Sequence, residues 1–198
     1  AKAWARQILD DTRQIAMPDA IMGDQVTNLW RDADNPRGLW RTATLDSYLA
    51  GAPEWRTLID VDQLGEDEGQ SWVWHGANCL APDYTRCLVS LSPGGTDADV
   101  VREFDIATGA FVEGGFTLPE AKSNVAWYDE NTLFVGTDEG AGSLTDSGYP
   151  RLVKLWERGT DFAQARLIAE GEQTDISMNG FSVLDGETRY RFVRRCPS

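Results

Sequence analysis

The chain has 198 residues, of which 41% are hydrophobic and 10% aromatic, so it can bury a substantial core in one or two domains. Its 32 acidic and 18 basic residues give a formal net charge of −14, which opposes binding to nucleic acid or to an anionic membrane surface. No run of residues is apolar enough to span a bilayer, and we expect neither nucleic acid nor a membrane as a partner.

The first predicted element is a short helix near the start of the chain. Trp4 and Ile8 recur at helical spacing among polar residues, which predicts a helix over residues 3–14 within a lead-in segment of residues 1–20. Beyond this segment, the signals are those of short strands separated by turns. No second helix is evident, although residues 119–123 could make a single helical turn.

The rest of the chain, residues 21–198, repeats one pattern of strand, loop, strand, short turn and strand. A period of about 45 to 60 residues made of short strands is typical of a β-propeller. We therefore predict an all-β fold, a partial β-propeller with about three four-stranded blades and the start of a fourth. The paired strands of the repeats are residues 26–30 and 38–45, 87–92 and 99–106, 133–137 and 151–156, and 180–184 and 189–194. The predicted blades cover about residues 21–64, 71–118 and 123–170, and the fourth begins within about 175–198.

The cysteines Cys79, Cys87 and Cys196 lack the spacing of a CxxC motif or of Cys/His metal ligands. Cys79 and Cys87 flank a predicted turn over residues 81–84 and could face each other across a hairpin. Two reduced thiols in the core of a cytoplasmic protein are the interpretation that we favour. The start of the chain lacks the layout of a signal peptide, so we expect a cytoplasmic location, although a mature periplasmic protein would look the same. We expect no cofactor and no metal.

No complete hydrolase site is evident in the sequence. A serine hydrolase needs a nucleophile beside a base, and the chain contains no Gly-x-Ser-x-Gly pentapeptide. The only histidine, His75, lies in a strand-like aromatic segment, and we interpret it as structural. Close carboxylate pairs such as Asp60 and Asp62 are expected by chance in a chain with 32 acidic residues, so we predict no catalytic residue.

Two further patterns favour structural roles over binding. The Asp-rich segments at residues 32–35 and 138–146 offer oxygen ligands for Ca²⁺ but lack the spacing of a calcium loop, so we predict solvated turns. Eight tryptophans could stack on sugars or peptides. Four of them fall within repeat strands, where packing between blades is the ordinary use: Trp30, Trp40, Trp127 and Trp156.

Five segments of the chain closely resemble the propeller of bacterial prolyl oligopeptidases. They are residues 30–41 (WRDADNPRGLWR), 71–76 (SWVWHG), 83–95 (DYTRCLVSLSPGG), 101–105 (VREFD) with the following Thr108 and Gly109, and 142–150 (GSLTDSGYP). The resemblance extends from residue 26 to residue 174, which is nearly the whole chain. Several long matches in the same order are far more specific than one short motif.

The resemblance implies a two-domain serine endopeptidase that cleaves short peptides after proline. In that family a seven-bladed propeller is inserted in the chain of an α/β-hydrolase domain, and the catalytic triad lies in the C-terminal half. This chain would then be an inactive propeller fragment of a longer parent protein. The family's propeller covers the active site and admits only short, flexible peptides. Lys122 leads into a predicted inner strand, near where relatives place a substrate-pocket side chain, so it is our substrate-channel candidate.

Two other classes of function fit the same pattern. The alternative hypothesis is a stand-alone propeller module that binds peptide or carbohydrate on a tryptophan-lined face. The other class is a structural scaffold, a hypothesis that predicts neither activity nor binding of a small ligand. An interrupted propeller leaves unpaired edge strands and an uncovered blade face, so we expect the fragment to self-associate.

Overall fold

The structure is a computed structural model that describes residues 15–198, so the helix predicted over residues 3–14 lies outside the described residues. The described chain forms fifteen strands, two short α-helices and one turn of 3-10 helix. The strands are β1 (Ala20–Met22), β2 (Gln25–Trp30), β3 (Leu39–Thr44), β4 (Arg56–Asp60), β5 (Trp72–Cys79), β6 (Arg86–Pro93), β7 (Asp99–Asp105), β8 (Ala110–Phe111), β9 (Thr117–Ala121), β10 (Asn124–Asp129), β11 (Thr132–Gly136), β12 (Leu152–Glu157), β13 (Arg166–Glu170), β14 (Ser177–Asp185) and β15 (Thr188–Cys196). The helices are α1 (Leu45–Leu49), α2 (Val61–Glu68) and the 3-10 turn Phe162–Gln164. Neither α-helix of this part of the chain is long and apolar enough to cross a membrane.

The strands form four antiparallel sheets, each built from one continuous stretch of chain. The first holds β1 to β4 in order, the second β5 to β8 with β9 also paired to β7, the third β10 to β13, and the fourth the hairpin β14–β15. None of these sheets closes on itself. The arrangement confirms the predicted partial β-propeller, and we call the sheets blades 1 to 4.

The two short helices were not predicted from the sequence. α1 begins where the Thr44 hydroxyl accepts a hydrogen bond from the Ser47 N–H at 3.2 Å, and α2 begins where the Asp60 carboxylate accepts one from the Gln63 N–H at 3.0 Å. α2 ends at Gly69, whose φ of 64° is left-handed. Helices of five and eight residues are too short to show a clear helical period, so the strand pattern around them dominates.

The prediction that residues 119–123 could make a helical turn is wrong. Residues 117–121 form β9, in which Leu118 pairs with Val101 of β7. Pro119 is tolerated because the pairing of β7 with β9 is interrupted by a register shift at this point, so no ladder hydrogen bond is lost.

The core lies between the blades. Each blade turns alternate side chains of its strands toward the next blade, which produces three apolar clusters in chain order. The cluster between blades 1 and 2 contains Trp40, Leu58, Ile59, Val61, Trp72, Cys87, Val89, Leu91 and Phe104. The cluster between blades 2 and 3 contains Leu88, Val101, Phe116, Leu118, Trp127, Leu133, Val135 and Trp156. The cluster between blades 3 and 4 is smaller and contains Phe134, Val153 and Met178.

Cys79 and Cys87 form a disulfide, which corrects the prediction of two reduced thiols. The predicted turn is present, because the Tyr84 N–H donates to the Leu80 carbonyl at 2.8 Å. This turn sets the register of β5 and β6 so that the two cysteines lie directly opposite each other. Cys196 is a free thiol.

The disulfide can be tested by counting thiols. Chain purified without reductant and then unfolded should show one reactive thiol, from Cys196, and three after reduction. Replacing Cys79 by serine should lower the free energy of unfolding by about 2–3 kcal/mol, since the bond closes a short loop in the unfolded chain. Three thiols before reduction would contradict the pairing, and Cys196→Ser is the matched control that should leave the stability almost unchanged.

Candidate functional site

The first strands of the four blades border the candidate site. β5, β10 and β14 belong to different sheets, yet together they line one cleft of about 440 Å³, so the inner edges of blades 2 to 4 converge there. A neighbouring cleft of about 490 Å³ lies between β1 and β5. We call the cleft between β1 and β5 the first cleft and the cleft between β5, β10 and β14 the second cleft.

The first cleft has an aromatic wall. Trp74 and Tyr84 line it beside the disulfide residue Cys79, and β1 forms the opposite side. The Trp74 ring lies 5.0 Å from that of Trp40, between centroids, so Trp74 is fixed by packing against blade 1. This wall offers apolar contact and few directed polar groups.

The second cleft is polar but carries no acidic side chain. Its lining residues are His75, Gly76, Ala77, Asn78, Leu88, Ser90, Val101, Ser123, Asn124, Val125, Ala126, Asn179, Gly180 and Phe181. None of these fourteen is Asp or Glu, although 32 of the 198 residues of the chain are acidic. The lining of the cleft therefore adds no negative charge next to a bound ligand, in contrast to the acidic molecule as a whole.

His75 projects from a β-bulge in the wall of the second cleft. Trp74 and Gly76 pair with consecutive residues of β6, so His75 is the extra residue of the strand. Its Nδ1 lies 2.6 Å from Oδ1 of Asp99 on β7. Burial raises the pKa of the Asp99 carboxyl, and the neighbouring imidazole opposes that shift. Sequence reasoning missed Asp99, because nothing local to it indicates a partner that lies on another strand.

Lys122 lies at the rim of the second cleft, between β9 and β10. Its Nζ is 3.4 Å from Oδ2 of Asp97 and 5.1 Å from the centroid of the Tyr149 ring. The next residue, Ser123, lines the cleft, whereas Lys122 itself does not. The ammonium group is thus held between a carboxylate and an aromatic face, and the Lys122 side chain is about a third exposed. Its proposed contact with a substrate stays a prediction.

The other sequence candidates take structural positions. The Asp32 carboxylate accepts hydrogen bonds from the backbone N–H groups of Asp34 and Asn35. It also accepts one from Trp30 Nε1 at 2.7 Å, and this bond does most to hold the pKa of Asp32 below its usual range. Residues 15–198 contain no group of three His, Cys, Asp or Glu side chains placed to hold a metal, and no serine–histidine hydrogen bond. Trp40, Trp127 and Trp156 are buried between blades, so they are not free to stack on a ligand.

Comparison with known proteins relates this architecture to one family. The family model for the N-terminal β-propeller domain of prolyl oligopeptidase matches residues 9–194. The chain is 44% identical over 189 residues to the uncharacterized peptidase y4nA of Sinorhizobium fredii, with 96% of this chain and 26% of that protein covered. It is 33% identical over 167 residues to the uncharacterized peptidase RP174 of Rickettsia prowazekii, with 80% and 23% covered.

A solved structure extends the likeness to three dimensions. The post-proline cleaving enzyme from Rickettsia typhi matches with a TM-score of 0.87 at 28% sequence identity. The match covers 98% of this chain and 30% of that enzyme chain. The chain therefore spans about a quarter of the length of the curated relatives it matches, and less than a third of this solved structure.

Proposed function

The chain belongs to the prolyl oligopeptidase family, as part of its N-terminal β-propeller domain, and we propose that it gates substrate entry in a serine endopeptidase that cleaves short peptides after proline. The observation that carries the proposal is the match of residues 9–194 to this propeller, supported by the close superposition on a post-proline cleaving enzyme. The parent protein is the longer natural protein that carries this chain.

In this proposal the catalytic triad belongs to an α/β-hydrolase domain of the parent protein, and that domain is the first partner of the propeller. The support is that the chain spans about a quarter of its curated relatives, and that the described residues lack a serine–histidine hydrogen bond. The chain by itself is then inactive toward peptides.

Gating follows from the size of the openings along the inner strands. Clefts of about 440 and 490 Å³ accommodate a few residues of extended chain but no folded domain. An extended peptide therefore fits against these strands, and we propose that the parent protein keeps a folded substrate from its catalytic domain. We propose short peptides as the substrate class.

Gating is tested with one proline-containing cleavage site in two contexts. The parent protein should cleave the site rapidly in a short unstructured peptide and leave it intact in an exposed loop of a folded protein. A conventional protease that cuts both substrates verifies that the loop is accessible. Equal cleavage of both by the parent protein would remove the gating role.

Lys122 is proposed as a substrate-channel residue because it directly precedes Ser123, which lines the second cleft. Replacing Lys122 by alanine in the parent protein should raise KM for short peptides by about threefold to tenfold, with kcat little changed. Lys154 is the matched control, since it also pairs with a carboxylate, that of Glu139, and lies near an aromatic ring, that of Phe162. No residue of its strand, β12, lines either cleft. Unchanged kinetics in Lys122→Ala would remove this role.

Blade 4 presents an apolar face on the side away from blade 3. Val183, Tyr190 and Phe192 are exposed on this face, and the Phe192 ring stacks on that of Phe181 at 5.3 Å between centroids. We propose that a further blade covers this face in the parent protein, because neighbouring blades bury such faces against each other. In the isolated chain, two copies can cover it instead.

We therefore expect the isolated chain to self-associate in a concentration-dependent way. Replacing Phe192 by serine should shift sedimentation toward the monomer, because it removes exposed aromatic area from the centre of this face. Leu49→Ser changes an even more exposed apolar residue, on α1 of blade 1, and should leave the association intact. A wild-type chain that stays monomeric at every concentration would contradict the expectation.

The cellular location stays a proposal. We propose the cytoplasm, in keeping with the expectation from the sequence. The Cys79–Cys87 disulfide weighs toward an oxidising compartment such as the periplasm, because such bonds persist there. Trapping free thiols in intact cells, followed by thiol counting on the parent protein, separates the two locations.

A further inference from the structure

We infer that the second cleft binds the main chain of an extended peptide and that His75 positions this peptide through the Nε2 atom of its imidazole. The inference rests on the proposed function, because it takes the peptide substrate of the parent protein as the ligand. It assigns to His75 a role as a positioning residue, in place of the purely structural role that its sequence context favours.

Strand alternation and the β-bulge together place His75 and Asn78 on the cleft side of β5. Trp72 and Trp74 precede the bulge and pack toward blade 1, and Ala77 and Cys79 follow it and pack toward the same cluster. In a regular strand, residues 72 and 74 would share a face with 76 and 78, so the extra residue has changed the phase of the strand. Gly76, with φ 134°, supplies a conformation that other residues rarely adopt. The bulge leaves His75 and Asn78 in the lining of the second cleft.

Asp99 fixes which nitrogen of His75 is available. The His75 Nδ1 lies 2.6 Å from Oδ1 of Asp99, so this nitrogen is engaged with the carboxylate. Nε2 is then the ring nitrogen left for a ligand. The His75 side chain is 31% exposed and lines the cleft, so it remains accessible to a ligand. The Asp99 carboxylate is not among the groups that line the cleft, whereas its neighbour His75 is.

Two asparagines on the neighbouring inner strands are fixed in a similar way. Asn124 Nδ2 donates to the Met178 carbonyl at 3.0 Å, which leaves the Asn124 side-chain carbonyl as an acceptor. Asn179 Oδ1 accepts from Arg194 Nε at 3.2 Å, which leaves the Asn179 amide NH₂ as a donor. Both residues line the second cleft, so their two inner strands offer an acceptor and a donor, and His75 adds a hydrogen-bonding group from a third.

This set of groups matches a peptide main chain. An extended peptide presents N–H donors and C=O acceptors in alternation, and neutral imidazole and amide groups can pair with both. The fourteen lining residues include no Asp, Glu, Lys or Arg that could pair with a charged side chain of the ligand. We therefore assign main-chain recognition, which suits a gate that passes many sequences.

The test uses two histidine variants of the parent protein that differ in reach. His75→Asn places an amide near the position of Nδ1, so it can keep the contact with Asp99 but loses the group at Nε2. His75→Gln extends an amide toward the position of Nε2. Binding is measured by fluorescence anisotropy with a labelled proline peptide whose amide after proline is reduced, so that it cannot be cleaved. A shortened version that ends close to the proline is the second probe.

We expect His75→Asn to weaken binding of the longer peptide by about threefold to tenfold, and His75→Gln to weaken it by less than about twofold. Binding of the short probe should change in neither variant if His75 contacts residues remote from the proline. Equal binding by the wild type and both variants would overturn the inference. An equal loss in both variants, accompanied by a lower melting temperature, would also overturn it, because it would assign His75 to folding alone.

The two proposals can fail separately. A parent protein that binds the longer peptide through His75 but does not cleave the natural peptide after proline retains this inference and loses the proposed function. A parent protein that cleaves after proline, with peptide binding insensitive to His75→Asn, retains the proposed function and loses the inference.

Discussion

Replacing Glu103 by alanine is expected to destabilise the chain by about 3 kcal/mol, because it breaks a buried ion pair between blades 2 and 3. Glu103 lies on β7 with its side chain 1% exposed. Its Oε2 accepts a hydrogen bond from Arg158 Nη1 at 2.7 Å, and its Oε1 accepts one from Arg158 Nη2 at 3.0 Å. Oε2 also accepts one from the Phe116 N–H at 2.9 Å. Arg158 follows β12 of blade 3, so this bidentate pair joins two blades.

The size of the effect comes from the groups that the substitution leaves behind. Without the carboxylate, the guanidinium and the Phe116 N–H lose their acceptor in a site with little water. The Arg158 side chain is 30% exposed and also donates to the Glu130 carbonyl at 2.7 Å, so its desolvation is partial. We therefore expect the lower end of the range for breaking a buried pair.

A surface pair in the same chain provides the control. Arg151 Nη1 lies 2.6 Å from Glu170 Oε1, and the Glu170 side chain is 52% exposed. Glu170→Ala should change the free energy of unfolding by less than about 1 kcal/mol, since water replaces the lost partner. Urea unfolding of both variants measures the difference, and similar destabilisation by both would contradict the assignment of Glu103 as an inter-blade link.

Gly180→Ala is expected to cost about 2–3 kcal/mol, because the contact between blades 3 and 4 leaves no room for a side chain at this position. A Cβ on Gly180 would lie 2.3 Å from Cδ1 and 2.5 Å from Cγ of Phe134, far inside van der Waals contact. Phe134 cannot move away easily, since it is buried and packs edge-to-face against Tyr128 at 5.1 Å. The added methyl group should therefore separate the hairpin β14–β15 from blade 3.

Val183→Ala is the matched control, because Val183 lies on the opposite, exposed face of the same strand. Its effect on the free energy of unfolding should stay below about 1 kcal/mol. Hydrogen exchange adds a local measurement, since Gly180→Ala should speed exchange in β14 and β15 more than in blade 1. If Gly180→Ala keeps the stability and the hydrogen exchange of the wild type, blade 4 does not pack against Phe134 of blade 3 in the way described.

The strands of the repeats could be predicted because each carries its own signal. Apolar alternation and turn residues are local, and the observed β6 (Arg86–Pro93) and β7 (Asp99–Asp105) lie within one residue of the predicted 87–92 and 99–106. α2 was missed because its eight residues make too few turns to reveal a helical period. β9 was missed because its proline reads as a break in the strand, and its place at a register shift is known only from pairing with β7.

The candidate site was less predictable, because it depends on register and on contacts between distant residues. His75 is visible in the sequence, but the bulge at this residue, which brings Asn78 to the same cleft, depends on how β5 pairs with β6. Its partner Asp99 lies on a different strand, 24 positions along the chain, and no motif joins the two. The disulfide depends on the same register, which the sequence does not reveal, and the prediction of two reduced thiols at Cys79 and Cys87 was therefore wrong.

One assay decides whether this chain serves a post-proline peptidase. The parent protein and this chain are each incubated with a short chromogenic peptide that has proline before the scissile bond, and with the same peptide carrying alanine there. We predict cleavage of the proline peptide by the parent protein alone, and its loss after treatment with a serine-directed inhibitor. Failure of the parent protein to cleave the proline peptide, or equal cleavage of both peptides, would contradict the proposed function.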